Sequence, residues 1–244
     1  MIGPIVEASN VSKYLGSGRA RVQALKSVNL SIGGGKLTLL MGPSGSGKTT
    51  LLSTLGCMLT PDAGIVRVCG TSTQGAGPEQ LAELRRKYIG FVFQSFNLFP
   101  TLTAAENVQM ALDVRGVRGF KARAKSREVL ANVGLADRIK SFPRELSGGE
   151  QQRVAIARAI VAEPSIILAD EPTAALDANN GRAIMSILAE ITKNRGHAVL
   201  VVTHDSRLLS FADRVAHIED GFVSDGNSDT TSEYPVLSIS SSKK

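Results

Sequence analysis

No stretch of this chain approaches the roughly 18 consecutive apolar residues that a membrane-spanning helix requires. Its start, Met1 to Glu7, has no basic region followed by an apolar run, so no secretory signal is expected and the cytosol is. Cysteine is scarce. Cys57 and Cys69 are the only two, and they join no cluster of histidines, so two reduced core thiols are expected rather than a disulfide framework or a metal module. Aromatic residues make up 5% of the chain. The densest basic stretch, Arg115, Arg118, Lys121, Arg123, Lys125 and Arg127, contains only Phe120 as a ring that can stack on a base. It therefore reads as a solvated helix face. The net charge of +6 suits a nucleic-acid partner and the anionic inner face of a membrane equally well.

What is present is a real core, since 43% of the 244 residues are apolar, enough for one large domain. At its centre stands the run Gly42, Pro43, Ser44, Gly45, Ser46, Gly47, Lys48, Thr49. The apolar Leu37, Leu39, Leu40 and Met41 before it read as a buried strand, and Thr50 onward reads as a helix. Glycine, four residues, then Gly-Lys-Thr between strand and helix is the spacing of a phosphate-binding loop. Glycines let the backbone curl so that N–H groups converge on phosphate oxygens, and the helix adds the positive end of its dipole. A lysine at position 48 reaches the β- and γ-phosphates, and the Thr49 hydroxyl is placed for Mg²⁺.

Before this loop, Val6 to Val11 and Leu25 to Ile32 alternate as two antiparallel strands. Tyr14, at the end of the first, is read either as a core ring or as a stacking surface for an adenine. After the loop, a helix from Pro78 to Lys87 leads into an apolar strand, Tyr88 to Phe93, that ends at Gln94. Phe96, Leu98 and Phe99 follow in a loop closed by Pro100, either packed inward or offered to a partner. Thr103 and Glu106 form a capping-box pattern that opens a helical insert, broken at Gly116, Gly119 and Gly134. Leu146 to Glu150 opens a helix that Pro164 stops. Ser165 to Asp170 is a strand with a carboxylate at its end, followed by Glu171. Asp177 lies in a short loop before a helix over 179–194, and Ala198 to Val202 is a strand leading to His204. The last strands are Val215 to Ile218 and Phe222–Val223, and a disordered tail is expected over 226–244.

The set Gly42–Thr49, Gln94, Leu146–Glu150, Ile166–Glu171, Asp177 and His204, in that order, resembles the ATPase subunit of an ATP-binding cassette (ABC) transporter over residues 5–225. The resemblance implies an α/β fold: a phosphate-loop core with an antiparallel β subdomain and an α-helical subdomain inserted over about 95–163. It implies ATP and Mg²⁺ as ligands. Gly42 through Thr50 would hold the nucleotide, with Lys48 catalytic, and Tyr14 would stack on adenine. Asp170, Thr49 and Gln94 would serve the metal. Glu171 looks like the general base that polarises the attacking water, and His204 like the switch histidine at the γ-phosphate. Ser147, Gly148 and Gly149 look like the residues that bind ATP held by a second subunit, and Asp177 like the loop aspartate that crosses between them.

A homodimer in the ATP state follows from the resemblance. So does an integral membrane permease subunit, with a periplasmic adaptor as a further candidate partner. The expected place is the cytoplasmic face of the inner membrane, peripherally, with no direct nucleic-acid partner. The residues Gly16 to Val22, Gly90 to Leu98 and Leu102 to Val108 are similar to the macrolide and lipoprotein exporter group. An amino-acid-type importer is the alternative, and a non-transport ABC ATPase acting on nucleic acid a more distant one.

Overall fold

A computed structural model describes residues 3–195 and 197–226. Its centre is a six-stranded sheet. The chain enters it at β3 (Leu37–Met41), after an antiparallel pair, β1 (Val6–Leu15) and β2 (Val22–Ile32). It then passes through α1 (Lys48–Leu55), β4 (Ala63–Val68), β5 (Thr71–Ser72), α2 (Pro78–Tyr88) and β6 (Ile89–Val92). Three helices follow: α3 (Ala104–Asp113), α4 (Gly119–Asn132) and α5 (Gly148–Ile160). The sheet is then completed by β7 (Ile166–Asp170), α6 (Ala178–Arg195), β8 (Ala198–Thr203), β9 (Arg214–Glu219) and β10 (Phe222–Gly226). The strand order is β10-β9-β3-β8-β7-β6, parallel except for the β9–β10 pair, and a second, antiparallel sheet runs β2-β1-β4-β5.

Alternation along the central strands builds the layers. Leu37, Leu39 and Met41 of β3, with Val199 and Val201 of β8, face one core, which α3, α4, α5 and α6 cover. Leu40, Leu200 and Val202 face the other, shared with α1 and the antiparallel sheet. A strand buried on both faces reads as a continuous apolar run, and β3 and β8 are buried at every residue. Cys57 and Cys69 are free thiols, and burial pushes the Cys57 thiol up to about 11.

The hairpin is longer than its alternation implies. β1 and β2 continue pairing past Val11 as far as Leu15 opposite Val22, through register shifts that blur the period-two pattern. Tyr88 closes α2 rather than opening the next strand. The capping box at Thr103 is formed: its Oγ1 accepts from the Glu106 N–H, and Glu106 accepts from the Thr103 N–H at 2.8 Å. The tail expected after Gly226 lies outside the described residues.

Candidate functional site

The phosphate-loop run connects the carboxyl end of β3 to α1, and its neighbours there are set by register. Met41 pairs with Thr203 at the end of β8, and Asp170 at the end of β7 pairs with Val202. Three parallel strands therefore deliver Gly42–Thr49, Asp170–Glu171 and His204 to one edge, the edge where open α/β sheets carry their ligands. A cavity of about 580 Å³ lies there, lined by Ser44, Gly45, Gly47, Lys48, Thr49 and Thr50 of the loop, by Gln94 and Glu171, and by Asp220 and Gly221. Leu15, Val22, Gln23, Ala24 and Lys26 complete its lining.

The loop's shape needs glycine at two points. Gly47 has φ of 104°, outside the range of other residues. A Cβ on Gly42 would lie 2.1 Å from the Ile218 carbonyl oxygen, so the loop packs against β9. Within the curl, Lys48 is buried and its Nζ donates to the carbonyls of Gly42 and Pro43, each at 2.8 Å. The first bond of α1 runs from the Leu51 N–H to the Gly47 carbonyl, so the N–H groups of Lys48, Thr49 and Thr50 have no acceptor within the helix. The Ser46 Oγ is buried in the loop without a hydrogen-bond partner. Unclaimed donors, a lysine and a helix N-terminus converging on one cavity fit a polyphosphate.

Thr49 Oγ1 donates to Asp170 Oδ1 at 3.3 Å. Burial pushes the Asp170 carboxyl above its ordinary range, the Thr49 hydrogen bond opposes this, and the neighbouring Glu171 charge adds to it. Among the described residues no group of three or more His, Cys, Asp or Glu converges as a metal site. One hydroxyl, one carboxylate and a nearby amide match Mg²⁺, which takes few protein ligands and completes its shell with substrate phosphates and water.

Glu171 departs from β7 with φ of 46°, an uncommon conformation for a residue with a side chain. Its N–H is tied to the Val202 carbonyl at 2.9 Å. Its Oε1 lies 2.8 Å from His204 Nδ1. The residue is thus held at its backbone and at its carboxylate, and it lines the cavity with Lys48.

Several expected site residues stand elsewhere. Ser147 is the N-cap of α5, its Oγ accepting from the Glu150 N–H, and neither it nor Gly148 or Gly149 lines the cavity. Asp177 caps α6: its Oδ1 accepts from the N–H groups of Asn179 and Asn180, both at 3.0 Å. The Asn180 N–H is the chief reason its carboxyl sits below the usual range. The two regions touch within one chain, since a Cβ on Gly149 would stand 2.6 Å from Asn180 Oδ1.

Tyr14 does not line the cavity either. Tyr14 and Leu15 are consecutive in a strand and so point to opposite faces. The Leu15 side presents to the cavity, while the Arg21 guanidinium lies 4.2 Å from the Tyr14 ring centroid. At 36% exposure Tyr14 is no core ring, and its cation–π contact is what holds it. Among the described residues no aromatic lines the cavity. Leu15 and Val22 escaped the sequence reading because an aliphatic pair in a hairpin carries no chemical signature.

The loop after Gln94 divides its three apolar residues. Leu98 packs into the helical core, the Phe96 ring comes against Gly148, and Phe99 is left 47% exposed. Arg158 of α5 donates to the Phe96 carbonyl at 2.8 Å, tying this loop to the helix that Ser147 caps. The buried Asn107 folds the rest. Its Oδ1 accepts from the Phe99 N–H at 2.7 Å, and its Nδ2 donates to the carbonyls of Phe99, Leu102 and Thr103. Phe99 thereby joins the rim of a groove of about 430 Å³ with Phe91, Phe93, Met110, Val114 and Arg115.

The sequence profile described as ABC transporter matches residues 25–174. The chain is 44% identical over 217 residues to the macrolide export ATP-binding/permease protein MacB of Salmonella paratyphi A, covering 89% of this chain. It spans 33% of the length of that relative. It is 43% identical over 219 residues to the lipoprotein-releasing system ATP-binding protein LolD of Bordetella pertussis, covering 90% of this chain and 95% of LolD. A dimeric, post-hydrolysis structure of the ATP-binding cassette MJ0796 bound to ADP and Pi superposes with a TM-score of 0.83 at 43% identity, over 89% of this chain and 96% of that one.

Proposed function

The chain belongs to the ABC transporter family, and from that premise we propose that it binds and hydrolyses Mg-ATP as a dimer and drives a membrane permease of the macrolide or lipoprotein export type. One observation carries the reading. The cavity gathers Lys48, Thr49, Gln94 and Glu171, whereas Ser147, exposed at the N-terminus of α5, and the buried Gly149 lie outside it. Each chain holds most of a site and the missing piece of another. Two copies facing each other complete two sites, with ATP between Lys48 of one protomer and Ser147 of its partner.

Within each site the residues divide the work. Lys48 and the α1 N-terminus neutralise phosphate charge, and Glu171 orients and deprotonates the attacking water. His204 holds the Glu171 carboxylate in place and stands beside the transferred phosphoryl group. Thr49, Asp170 and Gln94 would hold Mg²⁺, which supplies further charge neutralisation at the β- and γ-oxygens. Gln94 continues directly into the loop that Asn107 folds and Arg158 ties to α5. The groove bearing Phe99 is where the permease docks, and the peripheral attachment to the cytoplasmic face follows from that docking.

The half-site arrangement is tested in a Glu171→Gln background, where nucleotide persists. Adding Ser147→Arg is expected to leave monomer affinity for a fluorescent ATP analogue within about threefold and to remove the ATP-dependent dimer seen by light scattering. A tenfold loss of monomer affinity would instead assign Ser147 to the site of its own chain.

The adenine rests on Leu15 and Val22 rather than on a ring. Leu15→Asp should weaken ATP binding about tenfold, through loss of an apolar contact worth roughly 1–2 kcal/mol. Tyr14→Ala should change it less than twofold. Equilibrium titration of both variants decides, and the opposite ranking returns the base contact to Tyr14.

A further inference from the structure

We propose that the segment from Val114 through α4 is a contact surface for anionic lipid headgroups, set beside the groove that takes the permease. Between Val114 and Asn132, the end of α4, the segment carries Arg115, Arg118, Lys121, Arg123, Lys125 and Arg127 against a single acidic residue, the exposed Glu128. Two of these cations are used internally: Arg115 donates to the Lys87 carbonyl at 2.9 Å, and Lys125 pairs with Glu163 at 2.8 Å. Arg118, Lys121, Arg123 and Arg127 are exposed to solvent.

Among them stands Phe120, 85% exposed, with Val114, 59% exposed, at the end of α3. On α4, Phe120, Arg123 and Arg127 share one face by their spacing, opposite the buried Ala122, Ser126 and Val129. A solvated face has no use for a phenyl ring ringed by cations. An interfacial one does: the ring enters the headgroup–acyl boundary while lysine and arginine meet lipid phosphates. A single ring with an aliphatic neighbour is a poor platform for stacking successive bases, which argues against single-stranded nucleic acid.

Placement agrees. Val114 and Arg115 also line the groove, so a permease segment seated there would lie next to this basic segment. That placement rests on the docking reading, whereas binding to bare vesicles does not require it.

The chain contains no tryptophan, so Phe120→Trp gives a single reporter. The full chain is mixed with vesicles of phosphatidylglycerol in phosphatidylcholine, or of phosphatidylcholine alone, and floated on a density gradient. Expected are binding to the anionic vesicles only, a shift of the tryptophan emission to shorter wavelength, and quenching by brominated acyl chains. Phe120→Ala and the double variant Arg118→Glu/Lys121→Glu should each weaken binding about tenfold, with melting temperature and basal ATPase unchanged. Lys36→Glu/Lys140→Glu makes the same charge change elsewhere on the surface and should weaken it less than threefold. Equal loss in that control, equal binding to neutral vesicles, no emission shift, or displacement by a 20-residue oligonucleotide at vesicle-equivalent phosphate would each overturn the proposal. Vesicle binding that fails while permease association persists would remove the lipid surface and leave the proposed function standing.

Discussion

Replacing Glu171 by Gln should lower ATP hydrolysis by about 100- to 10,000-fold, the range that a positioned general base contributes, while ATP binding persists. The reasons are local. Glutamine keeps the shape of the side chain and an oxygen for the hydrogen bond that His204 Nδ1 makes at 2.8 Å, so the conformation of the strand end is preserved. Lys48, the α1 N-terminus and Thr49, the groups proposed to hold the nucleotide, are untouched. What is lost is a carboxylate able to take a proton from water. With ATP retained and turnover blocked, the two protomers stay joined, because anything that binds only the associated form stabilises it by mass action. Light scattering with Mg-ATP should then show a dimer for the variant and mainly monomer for the wild type after hydrolysis. A variant that turns over within threefold of the wild-type rate would remove Glu171 from the chemistry.

Asn107→Ala should destabilise the chain more than any surface change. Asn107 is fully buried and is the shared partner of the Phe99 N–H and of three carbonyls, those of Phe99, Leu102 and Thr103. The Thr103 carbonyl keeps its helical bond from the Asn107 N–H at 2.9 Å and the Phe99 carbonyl keeps its bond from the Leu102 N–H at 3.2 Å, so two groups, the Phe99 N–H and the Leu102 carbonyl, are newly orphaned. At about 1–3 kcal/mol for each buried group left unpaired, the loss should be about 4 kcal/mol. For a domain of this size, that lowers the melting temperature by about 10 °C. Asn107→Asp should be at least as harmful, because its carboxylate would keep the one N–H and face the carbonyls with no donor. Calorimetry on both variants checks this, and a melting temperature within 2 °C of wild type would refute it. The Phe99 loop would also be released, so association with the permease should fall even where the remaining fold holds ATP.

Local signals were legible wherever backbone chemistry is encoded in consecutive residues. The phosphate loop, the capping box at Thr103, and the runs of β3, β7 and β8 are all of this kind. Each depends on side chains bonding to their own neighbours, or on strands buried on both faces. The hairpin end was less legible, because the register shifts between Ala8 and Tyr14 break the alternation that would mark its faces. The aromatic expected at the adenine, Tyr14, therefore lies outside the cavity, which its neighbour Leu15 lines instead. Likewise Phe96, Leu98 and Phe99 read as one cluster, yet they serve three different surfaces. A loop's side chains are sorted by what folds around it, here an asparagine eight residues away and an arginine in another helix.

The sequence by itself determined the chemistry: a loop that only glycine permits, a lysine and threonine beside it, and two carboxylates at a strand end. These follow from covalent spacing, which folding does not alter. Only the tertiary structure decided which of those residues meet. Parallel register brings Asp170, Glu171 and His204 to the phosphate loop, and the strand's alternation turns Leu15 in and Tyr14 out. The packing of α5 against the Asp177 loop leaves Ser147 outside the cavity of its own chain. Such distances are fixed by hydrogen-bond register and by burial across elements far apart in the chain, and neither is written at any single position.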